Sequence, residues 1–113
     1  MTQNRNKLIE LFIANISNAI VHEILEKAID VEEIVEKYGK EIKTSFDIAR
    51  TYREKINPTE RALPLKDIKK IRKKVINTVR AELQSRISKG YQNINLNLIE
   101  PTINKILKET KVI

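Results

Sequence analysis

Apolar residues are spaced along this chain in helical rather than alternating rhythm from near its beginning to its end. From about Asn4 to Ile29, Leu8, Ile9, Leu11, Phe12, Ile13, Ile16, Ala19, Ile20, Val21, Ile24, Leu25, Ala28 and Ile29 cover most of a helical circumference. A helix apolar nearly all round is either the central member of a bundle or shared with a second chain. Asp30 is placed to cap a second helix with Glu33 reaching back to it, and Ile29 and Ile34 stand where a hydrophobic staple sits.

That second helix is expected to be short, Val31 to Tyr38, with Gly39 in the left-handed position that closes many helices. A third then runs to about Ile56, with Ile42, Phe46, Ala49, Tyr52 and Ile56 at spacings of 4, 3, 3 and 4. Asn57-Pro58 ends it, because proline disfavours helical backbone at the preceding residue, and Thr59 to Pro64 reads as a connecting loop. A fourth helix, Leu65 to Lys89 and about 37 Å long, places Leu65, Ile68, Ile71, Val75, Ile76, Val79, Leu83 and Ile87 on one stripe before Gly90 stops it. Tyr91 to Asn97 reads as an extended connection, and a fifth helix covers Leu98 to Glu109, with Asn97 as its cap and Glu100 three residues on. The fold expected is all-α: one domain over residues 1–113, an up-down bundle of about five helices whose core comes mostly from the first and fourth.

Composition narrows the function. The 113 residues are 41% hydrophobic and 33% charged, with no cysteine, which excludes disulfides, thiolate nucleophiles and sulfur-ligated metals. His22 is the only histidine, so no serine-histidine triad or multi-histidine metal site can be assembled in one chain. Glu23, Glu26 and Asp30 share a helical face but lack the paired Glu-x-x-His motifs of a di-iron bundle. With glycine only at 39 and 90 there is no phosphate-cradling loop. We therefore expect no catalytic residue, cofactor, metal or small-molecule substrate. Leu11 to His22, the longest uncharged stretch of the first helix, is short for a bilayer, and no secretory signal pattern precedes it, so a cytoplasmic protein without membrane contact is expected.

The net charge of +7 is uneven: residues 1–58 carry 9 Lys/Arg against 10 Asp/Glu, whereas residues 59–113 carry 13 against 5. On the fourth helix Lys66, Lys69, Lys70, Lys73, Lys74 and Arg80 form a candidate surface for DNA or RNA phosphates or for an acidic protein. Arg72 and Arg86 fall on helical positions equivalent to Leu65 and Val79, which puts their stems in helix seams with guanidinium groups seeking carboxylates. The bland alternative is that the lysines only solvate a surface. An aromatic content of 4% argues against recognition of single strands by base stacking. The breadth of the first helix's apolar surface makes Leu8, Phe12, Ile16, Ile20 and Ile24 candidates for an assembly interface, with a homo-oligomer or a subunit of a larger complex as the expected state.

Two resemblances add to this. Residues 31–56 resemble a helix-turn-helix, with Gly39 in the turn and Lys43, Thr44 and Arg50 on the second helix, although Ser45 stands where an apolar residue is expected and Asp47 and Glu54 weaken the basic character. From Ile34 onward the chain carries Tyr38 in a short helix, a helix ending near Ile56, Leu63-Pro64-Leu65 opening a long basic helix that closes Arg86-Ile87-Ser88-Lys89, and then Leu98-Ile99-Glu100-Pro101. In these features it resembles the helical domain of the GINS family of DNA replication proteins, although Gly90 stands where that family has an apolar residue. The resemblance implies a non-catalytic subunit of a replication assembly. Three functions thus stay open: a nucleic-acid-associated assembly subunit, a helix-turn-helix regulator, and a purely structural protein-protein adaptor.

Overall fold

The computed structural model describes residues 4–29, 31–57 and 61–113. They form four α-helices: α1 (Arg5–Lys27), α2 (Glu32–Ile56), α3 (Leu65–Ser88) and α4 (Ile99–Glu109), with a 3-10 turn at Leu96–Leu98 leading into α4. The expected capping by Asp30, the break at Pro58 and Thr59 in the connecting loop lie outside the described residues.

Asn4 starts α1: its backbone is extended and its side-chain oxygen accepts the Asn6 N–H at 2.8 Å. The helix is central. It packs against α2, α3 and α4 in turn, and those neighbours cover Leu8, Ile9, Phe12, Ile13, Ile16, Ala19, Ile20, Val21, Ile24 and Leu25. By length and composition alone α1 would suffice to cross a bilayer, yet in this fold most of its surface is inside the protein. An apolar circumference has two physical explanations, and here the chain's own helices supply the cover.

Two expected helices are one. Residues on both sides of Gly39 continue the same helix, from Glu32 to Ile56, and there is no turn at that glycine. Glycine inside a helix costs about 1 kcal/mol against alanine, an amount that burial of Ala49 and Ile56, with Tyr38, Phe46 and Tyr52 packed on the core, readily offsets. Glu32 and Glu33 in the first turn and Arg53 and Lys55 in the last complement the helix dipole. The helix-turn-helix geometry expected for residues 31–56 is therefore not formed, and the basic helix is the third of four rather than the fourth of five.

Helix α3 buries Ile71, Val75, Val79 and Leu83, one residue per turn, and leaves the rest of its circumference largely open. Gly90 ends it as expected: with φ of 100°, it lets its own N–H reach Ile87 O at 3.0 Å and the Tyr91 N–H reach Arg86 O at 3.1 Å. The cap of the last segment is Asn95 rather than Asn97: Asn95 Oδ1 accepts the Asn97 N–H at 3.0 Å and opens the 3-10 turn. Pro101 sits in the first turn of α4, where a missing N–H costs nothing. After α4 the same closing pattern recurs with Lys111 at φ of 61°, and Val112, buried beyond it, accepts from the Leu63 N–H at 3.1 Å.

Directions follow from the cross-helix contacts. Asn18 donates to Ser45 Oγ at 2.7 Å and His22 Nε2 lies 2.7 Å from Glu41, so α1 and α2 run antiparallel. Arg5 meets Asp67 and Glu10 meets Lys70 and Lys74, so α1 and α3 run parallel. This parallel pairing fixes which α3 side chains face α1 and which face away.

Candidate nucleic-acid interface

At 100° per residue, Lys66, Lys69, Lys73 and Arg80 fall within one strip along α3, because their intervals are 3, 4 and 7. The strip lies on the side of α3 away from Ile71, Val75, Val79 and Leu83, and all four of its cations are exposed. Its length is about 21 Å at 1.5 Å per residue. None of the four has a salt bridge or side-chain hydrogen bond among the described residues.

Both acidic residues of α3 are matched elsewhere. Asp67, nearly buried, accepts from Arg5, and this hydrogen bond is the main cause holding its carboxyl below the usual range. Glu82 pairs with Arg86 at 2.9 Å, one turn apart. Neither acid of α3 forms a salt bridge with the strip, although the charge of Lys66 also helps to lower the Asp67 pKa.

The other two lysines proposed from sequence behave differently. Lys70 and Lys74 lie to one side of the strip, toward α1, where Glu10 Oε1 stands 3.9 Å from the Lys70 ammonium and 2.5 Å from that of Lys74. The hydrogen bond from Lys74 is the main cause lowering the Glu10 pKa, and the charges of Lys74 and Lys70 add to it. Of the six residues, four are thus without an ion pair among the described residues and two share one carboxylate.

Arg72 and Arg86 line seams. Arg72 is half-buried beside Ile76, Glu100, Ile103 and Asn104 in a cleft between α3 and α4, and its Nε is buried without a hydrogen-bond partner. Arg86 flanks Ala14, Ser17, Asn18 and Val21 of α1 while holding Glu82. Leu8, Phe12, Ile16, Ile20 and Ile24, expected at an assembly interface, all lie in the core of the single chain, so the apolar surface that suggested a partner is occupied by α2, α3 and α4. The large hydrophobic residues that do remain exposed, Val31, Ile34, Ile48, Leu65, Ile87 and Tyr91, are distributed over two helices and two connections.

Two polar contacts of structural weight have no counterpart in the sequence expectations. His22 sits between α1 and α2, with Nδ1 2.8 Å from Asn18 O, Nε2 2.7 Å from Glu41 and the Tyr38 ring edge-on at 5.2 Å. Arg53 is buried at the end of α2, where it donates to the carbonyls of Asn57, Arg61 and Lys111. Its position was available as a signal: it follows Ala49 by 4 and precedes Ile56 by 3, the buried side of the helix. A cleft beside it mixes Arg50, Arg53 and Lys111 with Glu54 and Glu109.

No family model, no curated protein and no solved structure matches this chain.

Proposed function

We propose that the chain is a non-catalytic helical module that docks on the phosphate backbone of nucleic acid through α3. The observation that carries this is the strip Lys66, Lys69, Lys73 and Arg80, four exposed cations in register, none of them in a salt bridge among the described residues. Cations that only solubilise a surface are typically interspersed with acids that offset them. On α3 the two acids form their salt bridges with arginines outside the strip, leaving a line of four cations without an ion pair among the described residues. Such a line is matched to a polymer that carries one negative charge per roughly 1.7 Å of duplex axis.

Phosphate docking without base-reading geometry suits a subunit of a larger assembly better than a sequence-specific regulator, because phosphate contacts position a protein and carry no sequence information. The resemblance of the sequence to the helical domain of the GINS family supports the same reading, a replication assembly. Leu63-Pro64-Leu65 opens α3 and Arg86 to Lys89 closes it, while the separate short helix around Tyr38 is part of α2.

The test is fluorescence anisotropy with labelled random duplex DNA and RNA across a salt series. Four phosphate contacts give a slope of log K against log salt near about −3.6 and a loss of about 150-fold between 50 and 200 mM. Absence of binding at the low-salt end would remove this function and leave the protein-adaptor alternative.

A further inference from the structure

We infer that Glu10 is a built-in competitor that withholds Lys70 and Lys74 from a bound phosphate backbone and so sets the number of contacts α3 makes. This rests on the phosphate-docking function proposed above and specifies how the surface is tuned.

Lys66, Lys69, Lys70, Lys73 and Lys74 are all on the first three turns of α3, and a helix lying on a duplex would offer them together. The parallel packing of α1 changes that. It brings the Glu10 carboxylate to the flank of α3, where one oxygen lies 2.5 Å from Lys74 Nζ and 3.9 Å from Lys70 Nζ. Glu10 is held in register by its neighbours Leu8, Ile9, Phe12 and Ile13, buried residues that cannot slide without opening the core. Its oxygen atoms occupy the place a phosphate oxygen would take between the two ammonium groups. Exposed ion pairs contribute little to folding, and side chains here are about half exposed (49% for Glu10, 45% for Lys74 and 38% for Lys70), so stability offers little reason for this pairing. The consequence for a polyanion is large by comparison. A ligand reaching these lysines must displace the carboxylate or tolerate it beside its own charge, whereas the strip on the other side is free.

The test is a cycle of four proteins in the same anisotropy assay: wild type, Glu10→Gln, Lys70→Gln with Lys74→Gln, and all three changes together, each checked by circular dichroism for unchanged helix content. With four contacts in the wild type and six in Glu10→Gln, the salt slope should steepen by about 1.8, because each phosphate contact adds roughly 0.9. The Lys70→Gln/Lys74→Gln pair, which leaves the Glu10 charge unpaired, should weaken wild-type binding less than Lys69→Gln with Lys73→Gln does, and should abolish the gain of Glu10→Gln. Glu36→Gln, a change of equal charge at an exposed site on α2, should leave the slope unaltered. The inference is overturned if Glu10→Gln binds like wild type, if Glu36→Gln gives the same gain, or if the lysine pair weakens wild type as much as Lys69→Gln with Lys73→Gln. If no protein in the set binds at low salt, the docking function itself fails, a result distinct from binding that ignores Glu10.

Discussion

The guanidinium of Arg53 on α2 donates twice to the carbonyl of Lys111 beyond α4, from Nε at 3.2 Å and from Nη2 at 2.7 Å. The same group also reaches Asn57 O, at 3.0 Å, and Arg61 O, so one buried cation ties the end of α2, the segment before α3 and the end of the chain. Burial is the cause that lowers its pKa, and the carbonyl oxygens that receive it compensate, those of Asn57 and Lys111 lying past the negative ends of α2 and α4. Removing it takes away four donated hydrogen bonds and leaves a cavity. We expect Arg53→Ala to cost about 3 kcal/mol, with Arg53→Lys recovering little, since an ammonium cannot span the fan of acceptors that a guanidinium fills. Urea denaturation followed by circular dichroism measures this; a loss below about 1 kcal/mol would show that these bonds are exchanged for water at little cost.

Arg5 and Asp67 join the beginnings of two parallel helices, and their pairing makes stability depend on pH in a definite direction. The Asp67 carboxyl has a pKa below its ordinary 3.8, first because Arg5 donates to it. A depressed carboxylate contributes stability that is fully present above the unfolded value and is lost as pH falls through the folded one. Asp67→Asn should therefore lower stability at pH 7 by about 1–2 kcal/mol. The gap between variant and wild type should stay constant down to about pH 5 and close at more acid pH. A gap that widened on acidification would contradict the assignment. Glu10, shifted in the same direction, is half exposed and should add little to this profile.

Substitution at Gly39 distinguishes a continuous helix from a helix-turn-helix. In the structure this glycine lies inside α2 with no positive φ, and a Cβ built there meets only the Glu26 carboxylate at an ordinary 3.8 Å. Gly39→Ala should accordingly stabilise the protein by about 0.5–1 kcal/mol, through higher helix propensity and a less flexible unfolded chain. In a helix-turn-helix with a left-handed glycine, the same change would destabilise it. Thermal unfolding of the single variant gives the sign, and a lower midpoint would restore the turn.

How far the sequence reaches is visible in the same elements. Helical periodicity located α1, α3 and α4 to within a few residues, because each buries a stripe that propensity and packing both favour. The split of α2 arose from treating Gly39 as punctuation, a local cue overruled by tertiary packing on both sides of it. For α1 the breadth of apolar surface was legible but its occupant was not: whether Phe12 and Ile16 meet another chain or α3 is decided only when the helices assemble. Likewise the sequence put Lys66, Lys69, Lys70, Lys73, Lys74 and Arg80 together as one candidate surface, whereas the loss of Lys70 and Lys74 to Glu10 depends on the parallel register of α1 and α3, which no local pattern encodes. Arg53 was missed because a charged residue on a stripe reads as solvated until the carbonyls that receive it are brought near.

The composition of the strip also fixes which form of nucleic acid it should prefer. Stacking platforms need exposed aromatic rings in the path of the strand. Lys66, Lys69, Lys73 and Arg80 have none among them, and Tyr91, 43% exposed, lies past the end of α3. Binding should then arise from charge alone. The same four contacts would give a salt slope of about −3.6 on duplex DNA and about −2.8 on a single strand, the difference following from the lower charge density of the latter. Duplex should bind at least as tightly as single strand at every salt, Tyr91→Ala should change neither, and replacing the four strip residues with glutamine should remove both together. Sequence preference should be slight, since no side chain of the strip is held in the two-point geometry that reads base edges. A single strand bound more tightly than duplex, with affinity lost in Tyr91→Ala, would instead make base stacking the dominant contact and demote the strip to an accessory charge.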